Sequence, residues 1–379
     1  MSAYRIPFNR PSLEGRELAY AAQAIAEGHI SGNGGFTRRC HALLEASLGV
    51  GKALLTTSCT HALEMAAVLL DLRPGDEVIV PSFTFVSTAN AFALHGARPV
   101  FADIRPDTLN LDETRLERLI TPRTRAVVVV HYAGVACEMD ALLEIARRRG
   151  LAVIEDNAHG LFGAYRGRPL GGFGGLAALS FHETKNFTCG EGGALLVNDP
   201  RWLERAEIIR EKGTDRGRFL RGEVDKYTWV DVGSSWLPSD ILAAYLCAQL
   251  EMRETILARR RSVWETYRSL LGDWARARGV GLPCVPEHCR QAWHMFYLLM
   301  PSPEARQTVI ESLKAKGILS VFHYVPLHLS PMGARFGGRP GDCPVAESVG
   351  ARILRLPFYN TLSPEDQRAV ASAVREALP

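Results

Sequence analysis

No run among the 379 residues is apolar for long enough to cross a membrane. The opening M-S-A-Y-R-I-P-F-N-R-P also lacks the apolar core of a secretory leader, so a cytoplasmic chain is expected. An excess of charge of one sign is missing too. The net charge of +3 is too small to suggest a nucleic-acid partner, and the arginine triplets at 147–149 and 259–261 lie in helical patterns where they read as solvated faces. Eight cysteines contain no C-x-x-C pair, and the close pair Cys284 and Cys289 completes no zinc-site spacing. Reduced thiols and no metal are therefore expected. Internal repeats and low-complexity tracts are absent, and no G-x-G-x-x-G follows the first strand-like run, which argues against a dinucleotide-binding fold.

An ordinary globular composition remains, with 47% hydrophobic and 22% charged residues, and the chain is long enough for one large domain and a smaller one. Short apolar runs at 53–56, 77–80, 99–102, 126–130, 151–154, 176–181 and 194–197 alternate with amphipathic helical patterns. That alternation predicts an α/β fold, a mostly parallel sheet with helices on both faces. Two helices are expected before it, at 13–27 and 37–48, joined by a glycine-rich turn. Residues 214–236, rich in Arg, Lys, Gly and aromatics, read as an irregular segment of the functional or interfacial kind. A long helix over 238–271 then leads to a C-terminal lobe with strands at 292–300 and 318–322 and helices at 304–316, 344–354 and 364–378. The expected division is a large domain over 1–240, with the connecting helix and smaller α/β domain over 241–379.

Three stretches carry chemistry. In S-F-H-E-T-K-N-F-T-C-G-E-G-G-A-L-L-V, residues 180–197, Lys185 sits on a tight loop between two strand-like runs. A lysine held there is placed to lose part of its solvation, which lowers its pKa and makes its amine a nucleophile towards carbonyls. In L-A-V-I-E-D-N-A-H-G, residues 151–160, a buried strand carries Asp156 at its carboxyl end. A carboxylate there can pair with the protonated ring nitrogen of pyridoxal phosphate (PLP), the arrangement that lets the ring withdraw electrons. In L-L-T-T-S-C-T-H-A-L-E-M-A, residues 54–66, a strand runs into a helix whose first N–H groups, with the Ser58 and Thr60 hydroxyls, form a phosphate cradle. A serine before a helix is more often only an N-cap. Cradle, strand-end Asp and loop Lys in that order make a PLP constellation.

Together these motifs resemble the DegT/DnrJ/EryC1/StrS family of PLP-dependent sugar aminotransferases, with T-S-C-T, E-D-N-A-H and S-F-H-E-T-K-N-F-T-C-G-E-G-G standing at its three motif positions. The resemblance covers essentially the whole chain. It implies a fold-type I PLP-dependent transferase in which Lys185 holds the coenzyme and shuttles the proton and Asp156 keeps the pyridinium charged. It further implies that Phe85, in P-S-F-T-F-V-S-T-A-N-A, stacks on the ring and that His159 lies near the coenzyme hydroxyl. Ser58, the Cys59 N–H, Thr60 and Ser180 would bind the phosphate, and His328, in F-H-Y-V-P-L-H, would meet the sugar nucleotide.

Where many members carry G-Y-N-Y-R, this chain has G-S-S-W-L; Ser235 can still hydrogen-bond a neighbouring subunit's coenzyme phosphate, but the arginine is gone. Blocks such as S-G-N-G-G-F-T-R-R-C, R-E-K-G-T-D-R and V-D-K-Y-T-W resemble one subgroup. Its members aminate C4 of dTDP-4-keto-6-deoxy-D-glucose to the galactose-configured product, as in enterobacterial common antigen assembly. The implied partners are a nucleotide-linked ketosugar, L-glutamate as donor, and a second copy of the chain in a homodimer with shared sites. Amination at C3, on another nucleotide, or of a cyclitol ketone is the alternative. A dehydratase is opposed by Lys185, which such members replace with histidine, and a PLP-fold regulator by the absence of an appended basic domain.

Overall fold

The computed structural model describes residues 4–378. Its centre is a seven-stranded sheet built from β1 (Lys52–Thr56), β2 (Glu77–Pro81), β3 (Arg98–Ala102), β4 (Thr124–Val130), β5 (Ala152–Asp156), β6 (Leu176–Ser180) and β7 (Gly193–Val197). All seven expected runs form strands. They lie in the order β1-β7-β6-β5-β4-β2-β3, and only β7 runs against the others, antiparallel to both β1 and β6.

Alternation along the strands explains why both faces are covered. Val78, Val80, Val128 and Ile154 point to one side, where they pack with α3 (Cys59–Leu69), α4 (Ser87–Ala93) and α6 (Leu203–Arg210) through Leu63, Ala66, Phe92 and Ile209. Ile79, Val127 and Val129 point to the other side, onto Met139, Leu142 and Ile145 of α5 (Met139–Arg149). Further along that face Leu55 and Leu179 meet Tyr20 of α1 (Glu17–Ala26) and Phe36 and Leu44 of α2 (Gly35–Leu48). β-branched residues buried on both faces are what a parallel sheet between helices needs.

The register gathers the strand ends that matter. Val130 pairs with Asp156, Asp156 with Ala178, Ser180 with Gly193, and Gly193 with Thr56. Four carboxyl ends and the start of β7 thus meet at one edge. Gly193 is fixed by contact: a Cβ there would lie 2.3 Å from the Ser58 carbonyl carbon and 2.4 Å from the Cys59 nitrogen. Its absence lets the lysine hairpin close onto the start of α3.

The C-terminal part differs from the expectation in two places. The single helix expected over 238–271 is two, α8 (Asp240–Glu251) and α9 (Arg253–Ala277), meeting at Met252. α8 packs against α1 and α2, and the Asp240 carboxylate accepts from the Phe36 and Thr37 amides at 3.1 and 2.8 Å, capping α2. The residues of α8, with Ile256 in the first turn of α9, therefore share the large core. Beyond it, Val263, Tyr267 and Leu271 of α9 meet Val309 and Leu313 of α10 (Pro303–Ala315), Val370 and Val374 of the last helix (Pro364–Ala377), and Ile6 from the chain start. The strand expected over 318–322 makes only single bridges, Ile318 to Ile6 and Val321 to Arg355. The paired strands of this lobe are β8 (Tyr297–Leu299) and β9 (Ile353–Arg355). Residues 214–236 hold one short helix, α7 (Arg216–Leu220), and are otherwise irregular. Among the described residues no helix is long and apolar enough to cross a membrane.

Candidate active site

A cavity of about 540 Å³ opens at the edge where the strands end, lined by residues from both parts of the chain. Lys185 stands on the 181–192 connection between β6 and β7. That loop is held tightly. The Phe181 amide donates to the Gly192 carbonyl at 2.8 Å, the Cys189 amide donates to the Phe181 carbonyl at 3.0 Å, and Gly190 takes the positive φ of 86° that the turn requires. Directly after the lysine, the Asn186 side-chain amide donates to the Ala292 carbonyl at 2.6 Å, and Phe187 is buried edge-on against Phe162. The lysine is thus fixed by its neighbours while its own Nζ has no hydrogen-bond partner among the described residues. Burial lowers its pKa from 10.5 to about 8, against the pull of Cys59 and Asp156.

Asp156 lines the same cavity. Its Oδ2 accepts from Thr88 Oγ1 at 2.7 Å and its Oδ1 from the Ala158 amide at 3.2 Å. Both donors are neutral, and burial pushes the carboxyl above its ordinary pKa despite them. A buried carboxylate hydrogen-bonded only to neutral groups fits a cationic ring nitrogen. Its neighbour Glu155 has a different task. It is fully buried and accepts from His131 Nε2 at 2.9 Å and from the amides of Gly171, Phe173 and Gly174 at 2.8, 2.7 and 2.7 Å.

The start of α3 forms another wall. Ser58 Oγ accepts from the His61 amide at 3.1 Å, so the N-cap is real, but the hydroxyl keeps its own proton to donate. Thr60 Oγ1 lies 2.8 Å from Ser87 Oγ. Cys59 lines the same wall, and burial pushes its thiol well above the ordinary value, so it is a neutral neighbour rather than a nucleophile. Ser180, at the end of β6, completes a group of hydroxyls and amides around a helix N-terminus, which suits a phosphate.

Eight residues expected from sequence therefore line one cavity: Ser58, Cys59, Thr60, Phe85, Asp156, His159, Ser180 and Lys185. Phe85 is 57% exposed at the rim, 6.3 Å from the Tyr324 ring, and so is no core residue. His159 is buried with Nδ1 unpaired and stacks at 4.2 Å on His294, and burial holds both imidazoles neutral. Two expected residues lie elsewhere. His328 is a correction: it is fully buried away from the cavity, with Ser82 Oγ 2.6 Å from Nδ1 and Glu347 2.9 Å from Nε2. Both ring nitrogens are engaged, and the histidine this segment does bring to the cavity is His323, whose Nδ1 lies 2.9 Å from the Tyr132 hydroxyl. Ser235 is exposed and outside the cavity of its own chain, its backbone bridged to Glu211. Sequence reasoning missed Tyr324, although it chose the F-H-Y-V-P-L-H segment that carries it, and missed His294 and Arg355, which reach the cavity from the C-terminal part with no motif to mark them. Among the described residues no cluster could hold a metal ion.

Residues 11–375 match the DegT/DnrJ/EryC1/StrS aminotransferase family. The chain belongs to that family. It is 36% identical to the GDP-perosamine synthase of Caulobacter vibrioides, covering 99% of this chain and 98% of that one. It is 34% identical to the dTDP-4-dehydro-2,3,6-trideoxy-D-glucose 4-aminotransferase of Saccharopolyspora spinosa, with 98% and 97% covered. Among solved structures, the aminotransferase TlmJ of Streptoalloteichus hindustanus superposes with a TM-score of 0.90 at 32% identity, with 98% of each chain covered. The protein is a PLP-dependent sugar aminotransferase, and neighbours of this fold have been captured in PLP and PMP forms. The residues on the cavity wall fit that coenzyme: an amine of lowered basicity, a buried carboxylate without a cation, hydroxyls at a helix start, and the unpaired His159 Nδ1.

Proposed function

We propose that the enzyme moves an amino group from L-glutamate to C4 of dTDP-4-keto-6-deoxy-D-glucose, giving dTDP-4-amino-4,6-dideoxy-D-galactose. The observation that carries the chemistry is Lys185, an amine with pKa about 8, lining one cavity with the buried Asp156. The bound coenzyme supplies a cationic ring that withdraws electrons from the carbon bearing the nitrogen. Lys185 Nζ holds the coenzyme at rest and, once displaced, takes the proton from that carbon and returns it on the far side of the transfer. Asp156 keeps the ring nitrogen protonated, and Thr88 and the Ala158 amide hold its oxygens in place. Ser58, Thr60, Ser180 and the Cys59 amide anchor the phosphate, Phe85 covers the ring, and neutral His159 faces its hydroxyl.

The choice of sugar rests on the subgroup sequence blocks and on the similarity to a dTDP-sugar 4-aminotransferase. The similarity to a GDP-perosamine synthase makes a GDP-linked 4-ketosugar the alternative. Incubation with L-glutamate and a panel of dTDP-, GDP- and UDP-linked 3- and 4-ketosugars decides between them, with products identified by mass and proton coupling constants. An axial amine at C4 of the dTDP sugar is expected. Amination only at C3, or only of another nucleotide's sugar, would replace this assignment.

A further inference from the structure

One lysine and one arginine line the cavity, Lys185 and Arg355, and the chemistry proposed above uses only the first. Arg355 ends β9. Its backbone is pinned on both sides, its amide donating to the Val321 carbonyl at 2.8 Å and its carbonyl accepting from the Val321 amide at 3.2 Å. The guanidinium carbon lies 4.7 Å from the centre of the Phe8 ring. Nε is buried with no hydrogen-bond partner, and no carboxylate of the described chain forms an ion pair with the side chain.

The buried arginines set the standard for Arg355, which is half-buried at the cavity wall. Arg260 donates to the Trp293 and His294 carbonyls and the Asn360 side chain, and Arg210, although its Nε is also unpaired, donates to the Leu55 carbonyl and the Asn33 side chain, whereas the Arg355 side chain makes no hydrogen bond within the described chain. Arg355 instead faces neutral groups, the Tyr132 and Tyr324 hydroxyls and the imidazoles of His159, His294 and His323, and burial lowers its pKa. A desolvated guanidinium without a counter-ion is costly unless an anion arrives with the ligand.

Which anion follows from position. Arg355 and Lys185 line the same cavity of about 540 Å³, so an anion held by the arginine shares that space with the reacting amine. In an α-amino acid the carboxylate is attached to the very carbon whose nitrogen is transferred. In a nucleotide-linked ketosugar the diphosphate is separated from a C4 ketone by the sugar ring. We propose that Arg355 is the receptor for a carboxylate of the amino-acid donor, a specificity residue contributed by the C-terminal part of the chain. This rests on the transaminase reading given above. The planar fork of the guanidinium binds a carboxylate in two parallel hydrogen bonds, which lysine cannot reproduce.

The test uses the PLP-loaded protein with Arg355→Met and Arg355→Lys. The donor half-reaction with L-glutamate is followed by the coenzyme spectrum, and binding of 2-oxoglutarate, which cannot donate an amine, by calorimetry. The ketosugar half-reaction is followed from the amine-loaded protein. For Arg355→Met, half-saturation by glutamate should rise about 30-fold and 2-oxoglutarate binding should weaken in parallel, the loss of a charge-assisted pair. The ketosugar step should stay within about threefold, and Arg355→Lys should fall between, keeping the comparison available if the methionine variant folds poorly. Unchanged glutamate saturation in both variants overturns the proposal, and so does a loss confined to the ketosugar step, which would assign the arginine to the sugar nucleotide. Failure of the parent protein to react with any amino acid would instead defeat the transaminase reading, a separate outcome.

Discussion

Thr88 Oγ1 donates its proton to Asp156 Oδ2 at 2.7 Å, so the contact between Thr88 and Thr84 hydroxyls, at 2.8 Å, must be donated by Thr84. A directed chain of two hydroxyls thus ends on the carboxylate proposed to face the coenzyme ring. Its effect has a definite sign: burial raises the Asp156 pKa, and the Thr88 hydrogen bond lowers it, favouring the ionised form. Thr88→Val keeps the shape and removes the donor. Turnover should fall about tenfold with little change in KM, the worth of one hydrogen bond to a charged group. In coenzyme-free protein the Asp156 carboxyl, followed by infrared difference spectroscopy, should titrate at higher pH than in the parent. Thr88→Ser should restore both, and a valine variant with parental turnover would show that the chain only packs.

Lys185 gives a pH signature. Its folded pKa of about 8 lies below the ordinary lysine value of 10.5 because burial disfavours the charged form. The neutral amine attacks the coenzyme aldehyde, so the rate at which coenzyme-free protein recaptures PLP should rise about tenfold per pH unit below 8 and level off above it. Stability follows with the same sign. Between about 8 and 10.5 the unfolded chain binds the extra proton, so the coenzyme-free fold gains stability as pH rises through that window. Stopped-flow absorbance checks the first statement, and a capture midpoint near 10 would contradict it. Lys185→Ala should abolish transamination altogether, and turnover within tenfold of the parent would sink the role given to this lysine.

The sheet and most of the cavity were legible because they are written locally. Val127 to Val130 read as a buried strand from composition alone, and the Lys185 loop is bounded by β6 and β7, its two adjoining strands. What escaped the sequence depends on contacts between distant segments. Met252 breaks the helix without a glycine or proline, because α8 is held by α1 and α2 while α9, from Val263 onward, packs in the C-terminal core. His328 carries the polar look of a ligand, yet Ser82 and Glu347, far away in the chain, claim both of its nitrogens. Arg355 sits in R-L-P-F-Y, where nothing marks it until β9 folds against the cavity.

Glu155 and Asp156 are adjacent, and substitution should separate them. Glu155 holds the 171–174 turn through three amides, and the fourth donor is His131 Nε2. That ring carries its hydrogen on Nε2, since Nδ1 accepts from the Cys137 amide at 3.2 Å. Glu155→Gln sets an amide NH₂ against these donors. It should cost about 3–5 kcal/mol of stability in urea unfolding, while the folded fraction keeps near-parental turnover per bound coenzyme. Asp156→Asn should do the reverse, leaving the fold and bound coenzyme while lowering turnover by orders of magnitude. Exchange of these two outcomes would exchange the roles assigned to the residues.

The last prediction concerns assembly. Ser234 and Ser235 are exposed and lie outside their own chain's cavity, on a segment that also presents Tyr227 and a Trp229 that is 76% exposed. Aromatic side chains standing in water at an irregular segment suit the core of an interface better than a free surface. We therefore expect a homodimer in which these serines reach the coenzyme phosphate of the other copy. In a two-fold assembly that contact occurs twice or not at all. Lys185→Ala destroys the site on its own chain, whereas Ser234→Asp with Ser235→Asp places negative charge beside the phosphate of the opposite chain. Each homodimer is then inactive, but a mixed dimer retains one site with an intact lysine and intact serines. Random exchange makes half the dimers mixed, so activity should return to about a quarter of the parental value. Proven exchange without recovery, or a monomer at working concentration, would remove the shared site and leave the chemistry at Lys185 untouched.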